Sequence, residues 1–360
     1  MISLKPIANQ QGITLVELMI AMVIGLILTA GVSQIFISTQ STYRITEEQS
    51  RLQENARFAL GFITKDVREA GYTGCRAIEA MNVQTIAVPQ VPPDPSYGEN
   101  TTINGNEATS PTSPAEWTPA LATSIEDDVI GGTDTITIRK GTSCGATLTG
   151  PMNTSSAQVQ VSSPNSCNLA QNDTVMISDC QDAHIFNITN VPGSNLAHGL
   201  AVNGNTDTKF CLNYPAASVG NCGPGNEKLY GADAELLKFT SLTYYIRQGA
   251  GGRNALWVYD NTNATTMELI EGVEDMQVTY GVDTSGDDIV DAYQTANTVN
   301  AATNWINVIS AEISLLVETQ ADNLTTDNMT YTYNGATVTS ADSRLRRVFT
   351  TVVGIRNRVQ

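Results

Sequence analysis

Oxygen donors recur at alternate positions of one short loop. Asp283, Ser285, Asp287 and Asp291 supply side-chain oxygens, and the Ile289 carbonyl falls between the last two. That is the front of an EF-hand-like loop, in which hard oxygen ligands wrap calcium. Asp288 stands where such loops hold glycine, and Gln294 where they hold a bidentate Glu. Two readings follow: a truncated, water-completed calcium site, and a plain acidic hairpin turn of the same composition. A second carboxylate stands alone, because Glu17 is the one charged side chain between Ile13 and Ile37. A carboxylate in hydrocarbon costs about 2.5–3.5 kcal/mol on insertion scales. It therefore calls for a cationic partner. Enzyme chemistry finds little support. Gly141-Thr142-Ser143-Cys144-Gly145 has the spelling of a nucleophile elbow. Such an elbow needs a strand-to-helix turn, and Ala146-Thr147-Leu148-Thr149-Gly150-Pro151 does not read as a helix. The two histidines, His184 and His198, have no nucleophile and carboxylate placed around them. No catalytic residue is assigned, and the expectation is a protein that is not an enzyme.

Six cysteines, Cys75, Cys144, Cys167, Cys180, Cys211 and Cys222, all follow the apolar stretch, and none forms a C-x-x-C pair. An even number in an exported segment favours disulfides over zinc. Six cysteines allow fifteen connectivities. The pairing expected here is Cys144–Cys167 and Cys211–Cys222 as local loops, with Cys75 tied to Cys180.

The elements that would position these residues begin with a helix. Ile13 to Ile37 is apolar apart from Glu17 and a few small polar residues. As a helix it would extend about 37 Å, against a hydrocarbon core of about 30 Å. Beyond Ser38, Ile45, Leu52, Ala56, Ala59, Ile63, Val67 and Ala70 recur mostly at three- and four-residue steps, with charged residues between them. That is an amphipathic stripe. No proline interrupts Ile13 to Gly71, and Gly71 is the expected stop.

Residues 82–125 are rich in Pro, Ser, Thr and Asn, with Pro92 and Pro93 adjacent, and read as a surface excursion. Asp134–Arg139, Thr174–Ser178 and Ile185–Val191 read as strands in an irregular middle region. Leu237–Arg247, Ala255–Tyr259, Met276–Val282, Val308–Thr319 and Arg347–Arg356 read as one antiparallel meander. The glycine-rich Gln248–Gly252 forms its first hairpin loop.

An ordinary secretory signal is cut after its apolar region. Here the small residue Gly12 lies before it, following a polar leader whose charged side chain is Lys5. Gly12, the apolar helix and Glu17 together resemble the signal of type IV prepilins and type II secretion pseudopilins. The resemblance implies cleavage after Gly12 by a prepilin peptidase and methylation of the Ile13 amine. It gives Glu17 the task of neutralising an N-terminal amine during assembly. Ile13 departs from the usual Phe, and the leader has one basic residue rather than several. The stretch Leu269–Asp283, the Trp305 strand and Arg346-Arg347-Val348-Phe349 narrow the likeness to the PilW family of minor pilins, and more loosely to the J-type minor pseudopilin.

The fold so implied is α+β and type IV pilin-like, a long helix packed on an antiparallel sheet with a disulfide-pinned, loop-rich β insertion. Its divisions are residues 1–12 (leader), 13–38 (membrane and assembly helix), 39–71 (amphipathic half), 72–235 (loop-rich β region) and 236–360 (sheet region). The function implied is a minor pilin of a priming or tip complex, serving pilus assembly and hence adhesion or twitching motility. The rivals are a minor pseudopilin of type II secretion and a calcium-dependent adhesin module on a pilin stem. Partners implied are other minor pilins, the major pilin, the prepilin peptidase and a pilus-tip adhesin. Location is the inner membrane, with a periplasmic C-terminal domain, and then the pilus. The formal charge is −17, from 19 basic and 36 acidic residues. That argues against nucleic acid, whose binding depends on Lys and Arg neutralising phosphate.

Overall fold

In the computed structural model the described residues are 13–75, 81–86, 102–110, 116–162, 167–199, 209–212 and 222–358. The leader with Gly12, and the Pro92-Pro93 pair, lie outside them. Helix α1 runs from Leu15 to Arg68, 54 residues without a break. It ends where expected: Gly71 has a φ of +70°, and its N–H donates to the Arg139 carbonyl at 2.9 Å.

Strands β1 (Asn82–Thr85), β2 (Ile103–Ser110), β3 (Glu116–Thr118), β4 (Thr135–Thr147), β5 (Val159–Gln160) and β6 (Thr174–Ser178) come next. They are followed by β7 (Asp182–Asn187), β8 (Asn195–Leu196), β9 (Glu235–Gln248), β10 (Asn254–Asp260) and β11 (Thr265–Glu271). The chain closes with β12 (Val273–Val282), β13 (Ala292–Thr295), α2 (Ala296–Ala301), β14 (Val308–Glu318), β15 (Thr330–Tyr333), β16 (Ala336–Thr339) and β17 (Arg346–Gly354).

β9 is the spine of a nine-stranded sheet of order β1-β7-β6-β9-β4-β2-β3. One side of β9 pairs with β4 from Glu235 to Tyr244. Its other side is divided: β6 takes Glu235–Lys238 and β10 takes Leu242–Gln248, with β11 beyond. A second sheet has the order β13-β12-β14-β17. The run from Leu237 onward, read as one meander, therefore splits at Gly272. Its first two expected strands, with β11, join the larger sheet; the other three, as β12, β14 and β17, make the smaller one with β13, and β15 and β16 pair with each other. Gly272 has a φ of +88°, and a Cβ there would meet the Glu318 carbonyl at 3.0 Å. The chain changes sheets through a conformation that side chains rarely adopt.

The excursion expected over residues 82–125 also contributes strands, β1 to β3, and a turn that buries Leu121 and Ile125. β4 runs on to Thr147, well past Arg139, and β7 starts three residues before Ile185 and stops at Asn187.

α1 lies over the seam between the sheets. Its buried positions Leu52, Ala56, Ala59, Ile63 and Val67 join one core cluster with Ile136, Ile138 and Tyr244 of the larger sheet and Val278, Ile313 and Val353 of the smaller. Ala56 and Ala59, consecutive along the stripe, let the backbone approach closely, while Leu52, Ile63 and Val67 fill the space on either side. A second core, with Phe186, Phe210, Tyr230 and Leu236, lies under the middle region.

Candidate functional site: the bare half of the N-terminal helix

Among the described residues, nothing packs on α1 before Arg44. Every residue from Ile13 to Arg44 is exposed, including Leu15 at 75% and Leu26 at 71%. A helix that is apolar all round belongs inside a protein or a membrane. Two of its hydroxyls are tied to the helix backbone, as hydrocarbon demands: Thr29 donates to the Gly25 carbonyl at 2.8 Å and Thr42 to that of Ser38 at 2.9 Å. The domain takes hold just past this half. Arg44 donates to the Asp322 carbonyl at 3.0 Å, and Glu48 accepts the Ala321 N–H at 3.1 Å.

Glu17 is held at the tip. Thr14 caps the helix, and its hydroxyl accepts the Glu17 N–H at 3.3 Å. Glu17 Oε2 in turn accepts the Thr14 N–H at 2.9 Å and the Thr14 hydroxyl at 3.0 Å. This is a capping box, closed by a carboxylate set where the helix dipole favours negative charge. The sequence reading passed over Thr14, although Thr-x-x-Glu ahead of an apolar run is the signal for it. The carboxylate is thereby fixed over the first turn beside Ile13, where a cationic group could meet it. Ile13 is 76% exposed.

In the acidic loop the carboxylates are occupied by the loop's own donors. Asp283 accepts the N–H of Gly286 at 2.6 Å and of Asp288 at 2.8 Å. Asp291 accepts from the Thr284 N–H at 2.7 Å, its hydroxyl at 2.6 Å, and the Ser285 N–H at 3.1 Å. Asp287 accepts from Ser285 and from the Ile289 N–H. These bonds hold the Asp283 and Asp291 carboxyls below the usual range; burial of Asp283 works the other way. Asp288 adopts a φ of +62°, the left-handed turn that such loops ordinarily give to glycine. Among the described residues no group of three or more His, Cys, Asp or Glu is gathered as cation ligands would be.

Disulfides join Cys75 to Cys180, Cys144 to Cys167 and Cys211 to Cys222. Gly141–Gly145 lies within β4, so no strand-to-helix turn forms; Ser143 donates to Glu235, and Cys144 is bonded to Cys167. His184 is fully buried and contacts the Tyr230 hydroxyl at 2.6 Å and the Cys211 carbonyl at 2.7 Å. Burial lowers its pKa to about 4, so it is a neutral core residue at physiological pH. His198 stacks on Phe210 at 4.5 Å.

Comparison with known families places two matches on the chain. Residues 243–357 match the family described as Type IV Pilus-assembly protein W. Residues 7–33 match the prokaryotic N-terminal methylation motif. The first covers β10 to β17 with the end of β9, and the second spans Gly12, Glu17 and much of the bare helix. No match was found among curated proteins or solved structures.

Proposed function

We propose that this chain, a type IV pilus-related pilin carrying a PilW domain behind an N-terminal methylation motif, is a non-catalytic minor pilin of a priming or tip complex. Pilin-family domains are structural, and the chain is anchored in a membrane and associated with a pilus through its apolar helix. Beyond that, in our reading, prepilin peptidase cuts after Gly12 and the Ile13 amine is methylated. The domain faces the periplasm until assembly, when the bare half of α1 slots among the helices of the major pilin and other minor pilins. Glu17 then meets the N-terminal amine of a neighbour, which gives the carboxylate the cation that an apolar bundle requires. A tip adhesin and the surface functions of adhesion or twitching follow from that place in the fibre.

One observation carries the reading: thirty-one consecutive residues, Ile13 to Tyr43, are helical or lead into the helix, and every one of them is exposed. Such a surface needs either lipid or other helices. The test is Glu17→Ala, scored both for leader removal by mass spectrometry and for incorporation into sheared fibres. Cleavage should survive and incorporation should fall at least tenfold. Incorporation at the wild-type level would remove the role given to this carboxylate.

A further inference from the structure

β17 is an open edge. Among the described residues it pairs with β14 alone, over nine consecutive register positions with no bulge. Long, regular edges are templates for further strands, and proteins ordinarily blunt them. Beside this one runs a groove of about 790 Å³ between the sheet and the packed half of α1. Arg347 and Phe349 form one wall, and Glu54, Arg57, Leu60 and Gly61 the other. Gly61 is unexplained among the described residues: glycine weakens a helix interior relative to alanine, yet none of them lies within 4 Å of the Cβ it lacks.

The groove is basic in an acidic protein. Arg57 lies over Phe58 at 5.2 Å and Arg347 over Phe349 at 5.5 Å. Lys65, Arg68 and Arg356 continue the stripe, Arg356 donating its N–H to the Arg68 carbonyl at 3.3 Å. Among the described residues none of these five cations has a carboxylate partner, although the chain holds 36 acids against 19 bases. Lipid headgroups do not explain them. Arg57 lies twenty residues beyond Ile37, roughly 30 Å along the helix and about three screening lengths at 0.1 M salt.

We propose that this groove takes an acidic, extended segment of another polypeptide, which adds to β17 as a strand. Main-chain hydrogen bonds supply affinity in such additions, and pockets for alternate side chains supply specificity. Here one face of the added strand would lie against Leu60, Gly61 and Phe349, with its carboxylates reaching Arg57 and Arg347. The proposal goes beyond the assembly reading, because it uses neither Glu17 nor the bare half of α1.

The test uses the full chain in detergent micelles and labelled ten-residue peptides read by fluorescence anisotropy. A peptide alternating valine and glutamate should bind at least tenfold tighter than one alternating valine and lysine. N-methylation of alternate backbone nitrogens should weaken it at least tenfold, as should the double variant Arg57→Glu, Arg347→Glu with an unchanged melting curve. Gly61→Leu should raise the thermal midpoint while abolishing binding, a split that a purely structural glycine would not produce. Glu17→Ala should bind as the wild type does, which separates this test from that of fibre assembly. Equal binding of the two peptides, indifference to N-methylation, or undiminished binding by Gly61→Leu would overturn the proposal. So would sedimentation showing a dimer dispersed by the arginine substitutions, since the occupant would then be a second copy.

Discussion

The two halves of α1 share one backbone and one set of helical hydrogen bonds, yet they are stabilised by different things. From Leu52 to Val67 the apolar residues Leu52, Ala56, Ala59, Ile63 and Val67 form a stripe buried against the sheets, while Phe58 and Phe62 on the other side stay exposed. From Ile13 to Arg44 the apolar side chains face all directions, and none is covered by the domain. A helix holds its own hydrogen bonds in either setting, but in water most helical stability comes from packing an apolar face. The packed half therefore belongs to the domain's cooperative unit, while the bare half depends on what the protein inserts into. Acids differ in the same way. Asp66 is answered by a lysine of the larger sheet at 2.7 Å, whereas among the described residues Glu17 is answered only by its own cap.

The largest expected contrast comes from the same substitution made in each half. Ile63 is fully buried and Ile27 is 67% exposed. Ile63→Ala should destabilise the domain by about 2–5 kcal/mol through lost burial and a cavity. Ile27→Ala should leave domain unfolding within about 0.5 kcal/mol of wild type, while weakening incorporation into fibres. Denaturant midpoints of the full chain in detergent measure the first, and sheared-fibre content the second. If Ile27→Ala lowered the midpoint as far as Ile63→Ala, the two halves would not be independent.

This contrast also marks how far the sequence could be read. α1 was legible at both ends because a 3.6-residue stripe, a proline-free run and Gly71 are local signals, and Thr174–Ser178 was legible because five apolar-rich residues stand between turns. The division of the C-terminal strands into two sheets was not. β9 accepts β4, β6 and β10 along one 14-residue strand, and pairing partners that far apart leave no trace in alternation. β1 was missed for a related reason. Asn82–Thr85 is polar and becomes a strand only because β7 runs parallel beside it. Of the site, Glu17 stood out as a lone charge, but the groove beside β17 is made by two segments nearly three hundred residues apart and has no sequence signature.

A smaller but sharper contrast uses charge. Lys140 is 7% exposed, reaches Asp66 at 2.7 Å and also meets Glu69. Burial alone would lower its pKa, but hydrogen bonds and the charges of Asp66 and Glu69 together carry it above the ordinary lysine value. The Tyr244 hydroxyl completes the cluster by donating to Asp66 at 2.6 Å. Lys140→Met leaves Asp66 buried without its cation, which costs about 3–5 kcal/mol when one partner of a buried pair is removed. Lys140→Met combined with Asp66→Asn should recover part of that loss. Glu17→Gln, at the other end of the same helix, should not move the unfolding midpoint at all. Thermal melts of the four proteins decide it, and a double variant no better than the single one would mean that shape, rather than charge, joins α1 to β4.

The smallest effect separates the halves by pH. Asp134 bridges the two sheets, accepting the N–H of Ala108 from β2 and of Val278 from β12, each at 3.0 Å. Burial pushes its carboxyl up to about 7, the nearby charge of Glu107 adds to this, and the two N–H groups pull against it. Burial likewise raises Asp275 to about 6. A carboxyl whose folded pKa lies above its unfolded value binds its proton more tightly when folded, so its stabilisation is complete below about pH 4 and is lost as pH rises towards 7. Asp342 acts in the opposite sense: its hydrogen bond with Arg346 draws it down to about 2, so its contribution fails only as pH falls from about 4 towards 2. Domain melting should therefore be highest near pH 4–5 and fall by several degrees by pH 8. Asp134→Asn should flatten the alkaline limb and leave the acid limb in place. Between Ile13 and Tyr43 the bare half has no charged side chain but Glu17 to respond, so its insertion into micelles, followed by protection from protease, should stay level across the same range. A flat melting profile, or an alkaline limb unchanged in Asp134→Asn, would take the proton away from the junction between the sheets.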